Sequence, residues 1–169
     1  MGNPVSGGYG CVDISGGSLG SKIMGSMIRH FTHSLYDHCF VVLDAGSGLI
    51  LEAQPEGSHL ANIREYAGLP MVFSTDAVLG GNVGKLSQRA GAYTGIPYGF
   101  LDIVYLGLEL GPGWRPKLLL DQVLREDRMI CSQLVAAFGV ASGANSWKCG
   151  QAYDQLVTPG MLATRALGG

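Results

Sequence analysis

Charged residues are scarce in this sequence. Only 14% of the 169 residues are Asp, Glu, Lys or Arg, and the net charge of −2 comes without any run of basic residues. Nucleic-acid grooves and polybasic membrane patches both need clustered Lys and Arg, so the charge pattern argues against either. We therefore expect no nucleic-acid partner.

Long apolar runs and an export signal are also missing. No window approaches the roughly 18 consecutive apolar residues of a membrane span. Residues 1–10 have neither the basic start nor the apolar stretch of a signal peptide. We expect no transmembrane segment and no signal peptide, and a protein that is cytoplasmic or associated with a virion or another assembly.

Several ligand-binding motifs are absent as well. The four cysteines form no C-x-x-C pair, and there is neither a G-K-[ST] phosphate loop nor a G-x-S-x-G elbow. His30, His33, His59 and Cys39 are ligand types that zinc accepts. However, His38 and Cys39 are neighbours in a predicted strand, so their side chains point to opposite faces. We expect no metal and no cofactor.

The residues that are present predict one folded domain over residues 1–169. The apolar fraction is 47%, which is enough to build a core in a chain of this length. Glycine is frequent, at 27 residues, and it divides the sequence into short elements.

The clearest of these elements is a β-hairpin. Residues 38–44 are almost wholly apolar and β-branched or aromatic, residues 45–48 are typical of a turn, and residues 49–53 form the returning strand. In an antiparallel hairpin His38 and Glu52 lie at the same end.

The remaining pattern predicts a mixture of strands and helices. Further strands are predicted at residues 12–14 and 71–75, and helices at residues 18–31, 85–93 and from 131 onward. Residues 117–128 are a helix or a charged approach to the helix that begins at 131. Residues 101–110 are ambiguous between helix and strand, and a last turn or helix begins near residue 158.

Cys131 occupies the most informative position in the chain. Leu134, Val135 and Phe138 follow it at helical spacing, so Cys131 and Ser132 lie at a predicted helix N-terminus. The free N–H groups and the positive end of the helix dipole favour a thiolate there, which is the nucleophilic form of cysteine. The alternative is a cysteine that only fills core space.

A nucleophilic cysteine needs a base and a group that orients the base. His38 is the best candidate base, and Glu52 can accept the other imidazole N–H. Taken singly, each would be an ordinary histidine or carboxylate at a strand end. Together with Cys131, they are better explained as a triad.

Five segments occur in the order found in a known family. They are residues 32–38 before the apolar strand, 51–57, 95–100, 130–135 and 157–162, and they extend over nearly the whole chain. In this respect the sequence resembles the circularly permuted NlpC-like papain-fold cysteine hydrolases.

This resemblance implies an α+β fold in which a small antiparallel, barrel-like sheet packs against the nucleophile helix. It also implies that Cys131 is the nucleophile, His38 the base and Glu52 the orienting residue. Tyr98 matches an aromatic position near the family's substrate cleft, and Tyr36 and Asp37 are further substrate-binding candidates. Asp37 departs from the family, which often has Ser before the base, and is an alternative partner for His38.

The function implied is cleavage of an amide bond, with a peptidoglycan stem peptide as the expected substrate. Two alternatives remain open. Related papain-like proteins act on lipids or acyl thioesters as hydrolases or acyltransferases. The second alternative is that the chain is a structural subunit, for example of a phage tail or a secretion assembly, and binds its ligand without turnover.

Overall fold

We analysed a computed structural model of the chain. It describes residues 2–14, 34–110, 112–124, 127–152 and 154–168. The helix predicted over residues 18–31, together with His30 and His33, lies outside the described residues.

The described residues form a five-stranded antiparallel sheet with the order β4-β3-β2-β1-β5. The strands are β1 (Tyr9–Val12), β2 (His38–Asp44), β3 (Leu49–Gln54), β4 (Gly57–Asn62) and β5 (Met71–Phe73). The fold is therefore α+β, as the sequence predicts.

In the described ranges, five α-helices accompany the sheet, with short 3₁₀ segments between them. They are α1 (Val83–Ala90), α2 (Phe100–Leu110), α3 (Lys117–Val123), α4 (Cys131–Ala141) and α5 (Pro159–Gly168). Among the described residues, no helix is long and apolar enough to cross a membrane.

Most predicted elements are present, with shifted ends. The hairpin of β2 and β3 and the helix that begins at Cys131 lie where the pattern places them, and the ambiguous stretch at residues 101–110 is helix. The helix predicted over residues 117–128 ends at Val123, and the strand near residue 12 lies at Tyr9–Val12. Strand β4 was not predicted.

The two faces of the sheet bury separate apolar clusters. On one face, Cys39, Val41 and neighbouring strands pack against α4, whose Leu134 and Phe138 have no exposed surface. The opposite face carries a smaller cluster around Phe40. Helix α4 is apolar on nearly every side because it is enclosed, which fixes its N-terminus against the end of the hairpin.

Candidate active site

The hairpin brings His38 and Glu52 into direct contact. Phe40 pairs with Glu52 across β2 and β3, so His38, two residues earlier, lies diagonally opposite Glu52 on the same face. The His38 Nε2 atom is 2.8 Å from Glu52 Oε2. Both side chains are buried, and Glu52 has no exposed surface.

Cys131 completes the group from the side of the helix. It is the buried first residue of α4, and it lies close enough to His38 to raise the pKa of the imidazole. Since Nε2 is bonded to Glu52, Nδ1 is the ring nitrogen that remains for another partner. The structure therefore brings a buried thiol and a buried carboxylate to the same imidazole.

The surroundings favour the protonated form of His38. Burial by itself lowers the pKa of His38, because it penalises the charged ring. The negative charge of Cys131 and the hydrogen bonds with Cys131 and Glu52 outweigh that effect and raise the pKa of His38 to about 10. The imidazole of His38 is therefore protonated at neutral pH.

Glu52 contacts three further side chains besides His38. Its Oε2 atom also accepts a hydrogen bond from the Tyr66 hydroxyl at 2.5 Å, and Oε1 accepts one from Gln54 Nε2 at 2.8 Å. His59 Nε2 is 3.4 Å from Oε1. Burial raises the pKa of Glu52, but the contacts with His38, Tyr66 and His59 outweigh burial, so its pKa lies below the usual value. Glu52 therefore stays ionised.

The start of α4 leaves backbone donors beside the thiol. Ile130, the residue before the helix, has no side-chain acceptor for the N–H groups of the first turn. Gln133 instead accepts from the Ile130 N–H at 2.8 Å, and Ser132 Oγ donates to the Val157 carbonyl at 2.7 Å. Ser132 is thus a first-turn residue and not a cap. Uncapped N–H groups at a helix start can hold a developing oxyanion.

Tyr98 is fixed near the start of α4 by backbone pairing. It forms a bridge with Met129, and the Gly99 N–H donates to the Met129 carbonyl at 3.2 Å. In the described part of the chain, the Tyr98 hydroxyl has no hydrogen-bond partner. Burial, the negative charge of Cys131 and that of Asp102 raise the pKa of Tyr98, so the hydroxyl remains a donor.

The other two substrate-binding candidates are Asp37 and Tyr36. Asp37 is buried and accepts a hydrogen bond from the Ile14 N–H at 2.8 Å, so it ties the chain after β1 to the start of β2. Glu52, and not Asp37, is the carboxylate bonded to His38. Tyr36 is half-buried against the main apolar cluster. A role in substrate binding remains a prediction for both residues.

Sequence reasoning missed several residues that complete the site. Tyr66 and Gln54 support Glu52, and His59, weighed only as a metal ligand, lies opposite Glu52 on the unpredicted strand β4. One local signal was present in the sequence: Asn62 and Glu65 form a capping box, which indicates that the helical turn containing Tyr66 begins there.

Asp102 is a further buried carboxyl near the site. It is fully buried on α2, and neither oxygen has a hydrogen-bond partner among the described residues. Burial raises the pKa of Asp102 to about 7, which the nearby Gln133 amide and Arg128 offset only in part.

Helix α2 also presents apolar side chains to solvent. Phe100, Leu101 and Val104 are between 42% and 52% exposed, and the Phe100 ring stacks edge-on with Tyr98 at 5.1 Å between ring centroids. An apolar surface therefore begins beside the Tyr98 ring.

Within the described ranges, no group of three or more His, Cys, Asp or Glu side chains is arranged to hold a metal ion. Compared with known protein families and with curated proteins, the chain matches none.

Proposed function

We propose that this chain is a cysteine hydrolase that cleaves an amide bond, on a circularly permuted papain-like fold. The observation that carries the proposal is the buried His38 imidazole, which interacts with Cys131 on one side and bonds Glu52 at 2.8 Å on the other. A purely structural core does not need a charged ring beside a thiol, because burying unneeded charge is costly.

The first half of the reaction forms an acyl-enzyme. The Cys131 thiolate attacks the substrate carbonyl carbon, and the N–H groups at the start of α4 hold the oxyanion. When the C–N bond breaks, the His38 imidazolium gives its proton to the leaving amine. Glu52 keeps the ring oriented and stabilises its positive charge beforehand.

The second half releases the acyl group. Neutral His38 takes a proton from a water molecule, whose oxygen attacks the thioester carbonyl. The C–S bond breaks, the carboxylic acid product leaves, and the proton on His38 restores the ion pair with the Cys131 thiolate.

A peptidoglycan stem peptide is the substrate that the family resemblance favours. The Tyr98 hydroxyl supports a polar substrate, because it lies near Cys131 as a donor without a partner among the described residues. We infer that it donates to a peptide carbonyl next to the scissile bond.

The exposed apolar residues of α2 favour a second candidate. Phe100, Leu101 and Val104 could contact a fatty-acyl chain whose carbonyl reaches Cys131. The same nucleophile would then act on a lipid ester or an acyl thioester.

Activity assays on defined substrates decide between these candidates. Purified wild-type protein and Cys131→Ala are incubated with muropeptide fragments, a fatty-acyl thioester and a fatty-acyl ester, and products are identified by mass spectrometry. Cys149→Ser is the matched control, since Cys149 lies outside the triad and is also a free thiol.

Hydrolysis of muropeptides that requires Cys131 and not Cys149 supports the first candidate. Release of fatty acid with the same dependence supports the second. If wild type and Cys131→Ala give the same background on all three substrates, the enzymatic proposal is wrong and a structural subunit becomes the better interpretation.

A further inference from the structure

Two cysteines outside the triad face each other in the sheet. Cys11 on β1 pairs directly with Cys39 on β2, and their Sγ atoms are 3.1 Å apart. Both are free thiols with no exposed surface. The triad uses neither, and Cys39 points to the face opposite His38, into the main apolar cluster.

This arrangement already meets the requirements of a disulfide. Directly paired residues in an antiparallel sheet have Cα atoms about 4.5–5.5 Å apart, inside the range that disulfides span. Forming a bond of about 2.05 Å needs the two sulfurs to approach by only about 1 Å. Rotation of the two side chains supplies that movement, with little change in the backbone.

We propose that Cys11 and Cys39 are an oxidative modification site at which a small disulfide oxidant, such as oxidised glutathione, installs a cross-strand disulfide. One thiolate attacks the oxidant and releases one reduced glutathione. The second thiol loses its proton and displaces the other glutathione from the mixed disulfide. The protein loses two hydrogens, and one oxidised glutathione becomes two reduced molecules.

The cross-link forms most readily during folding. In the folded protein, burial and the neighbouring Cys11 raise the pKa of the Cys39 thiol, so little thiolate is present to react. In the unfolded chain both thiols meet the oxidant freely. Pairing of β1 with β2 then brings the two sulfurs together.

The disulfide ties β1 to the strand that carries the candidate base. It links residues 28 positions apart, which reduces the conformational freedom of the unfolded chain. Since its sulfurs face away from His38, the cross-link leaves the surroundings of the imidazole in place. The proposal is therefore independent of the proposed hydrolase function.

Refolding in a defined redox buffer tests this directly. Reduced, denatured protein with Cys131→Ser, which removes the thiol of the triad, is refolded with oxidised glutathione or with dithiothreitol. Remaining thiols are blocked with iodoacetamide before digestion. Trypsin cuts after Lys22, Arg29 and Arg64, so Cys11 and Cys39 fall on different peptides, 1–22 and 30–64.

We expect the two peptides to be joined in most molecules refolded with oxidised glutathione. We also expect a Tm roughly 5–10 °C above that of the reduced protein. Cys11→Ser should abolish the joined peptide and the rise in Tm, whereas Cys149→Ser should keep both.

Two results would overturn the proposal. One is recovery of alkylated, unlinked Cys11 and Cys39 peptides after refolding with oxidised glutathione. The other is a predominant disulfide from either residue to Cys149. Both outcomes are read without an activity assay, so they stay distinct from a failure of the hydrolase proposal.

Discussion

Glu52 shows how much of the candidate site depends on one buried side chain. Its two carboxylate oxygens accept hydrogen bonds from His38, Tyr66 and Gln54, and His59 lies at 3.4 Å. A buried carboxylate is tolerated when it is satisfied in this way. Here its charge also supports the positive charge on His38.

Replacing Glu52 with Gln should therefore lower kcat roughly 10²–10⁴-fold while leaving the protein folded. The side-chain amide of the Glu52→Gln variant has no negative charge to stabilise the His38 imidazolium. Its N–H groups would also face the Tyr66 hydroxyl and the Gln54 amide, which donate to Glu52 in wild type. Steady-state kinetics and circular dichroism provide the measurement. Glu56→Gln is the control, because Glu56 is exposed on the turn after β3. A Glu52→Gln rate within twofold of wild type would contradict this role.

For individual residues, the sequence predicts only those contacts that lie within one local element, such as a hairpin. His38 and Glu52 belong to one hairpin with an obvious turn, so their proximity follows from the register of two adjacent strands. Tyr66 and His59 reach Glu52 only because β4 pairs with β3. Strand β4 contains Gly57, Ser58 and Asn62 and has no apolar alternation, so its sequence does not indicate a strand.

Among the elements, α4 determines where Cys131 lies. Its Gly139 packs against the Trp147 ring so closely that a Cβ atom would overlap the ring. This close approach lets the helix sit against the short 3₁₀ segment at Asn145–Lys148. No helical periodicity predicts this contact, because it depends on an aromatic residue that follows the helix.

Gly139→Ala should destabilise the protein by about 1–3 kcal/mol, because the added methyl group would overlap the Trp147 ring, which is fully buried. Denaturant unfolding measures the change. Gly91→Ala is the matched control, because Gly91 has helical dihedral angles and a Cβ atom added there would meet no other atom within 4 Å. We expect that change to be neutral or slightly stabilising. Equal stability of the two variants would contradict the packing argument.

For the whole molecule, Asp102 couples stability to pH. The pKa of its carboxyl is raised from 3.8 to about 7 in the folded protein. Between these values the unfolded chain loses the proton while the folded chain keeps it. The contribution of Asp102 to the free energy of unfolding therefore falls as pH rises from about 4 to about 7.

Asp102→Asn should remove this dependence and stabilise the protein at pH 8 by about 1–3 kcal/mol, with little effect at pH 4. Thermal or urea unfolding across this pH range measures it, with Asp121→Asn on the exposed face of α3 as the control. If the free energy of unfolding of wild type and of Asp102→Asn falls equally as pH rises, Asp102 does not cause the pH dependence.

The fold class is a property of the whole chain. The sequence patterns predict a mixture of strands and helices, and the family resemblance implies an α+β fold with an antiparallel sheet. The structure has an α+β fold with an antiparallel sheet. The pairing of β5 with β1 could not be predicted from the sequence, because the two strands are far apart along the chain. The site nevertheless forms, because α4 and the hairpin meet through the main apolar cluster.

The most direct test of the account measures the reactivity of Cys131. Wild type and His38→Ala are treated with iodoacetamide at near-neutral pH, and each cysteine is followed over time by peptide mass spectrometry. We predict that Cys131 reacts faster than Cys11, Cys39 and Cys149, and that losing His38 slows it by roughly tenfold or more. If Cys131 reacts no faster than the other thiols, or equally fast without His38, then it is a core residue and not a nucleophile.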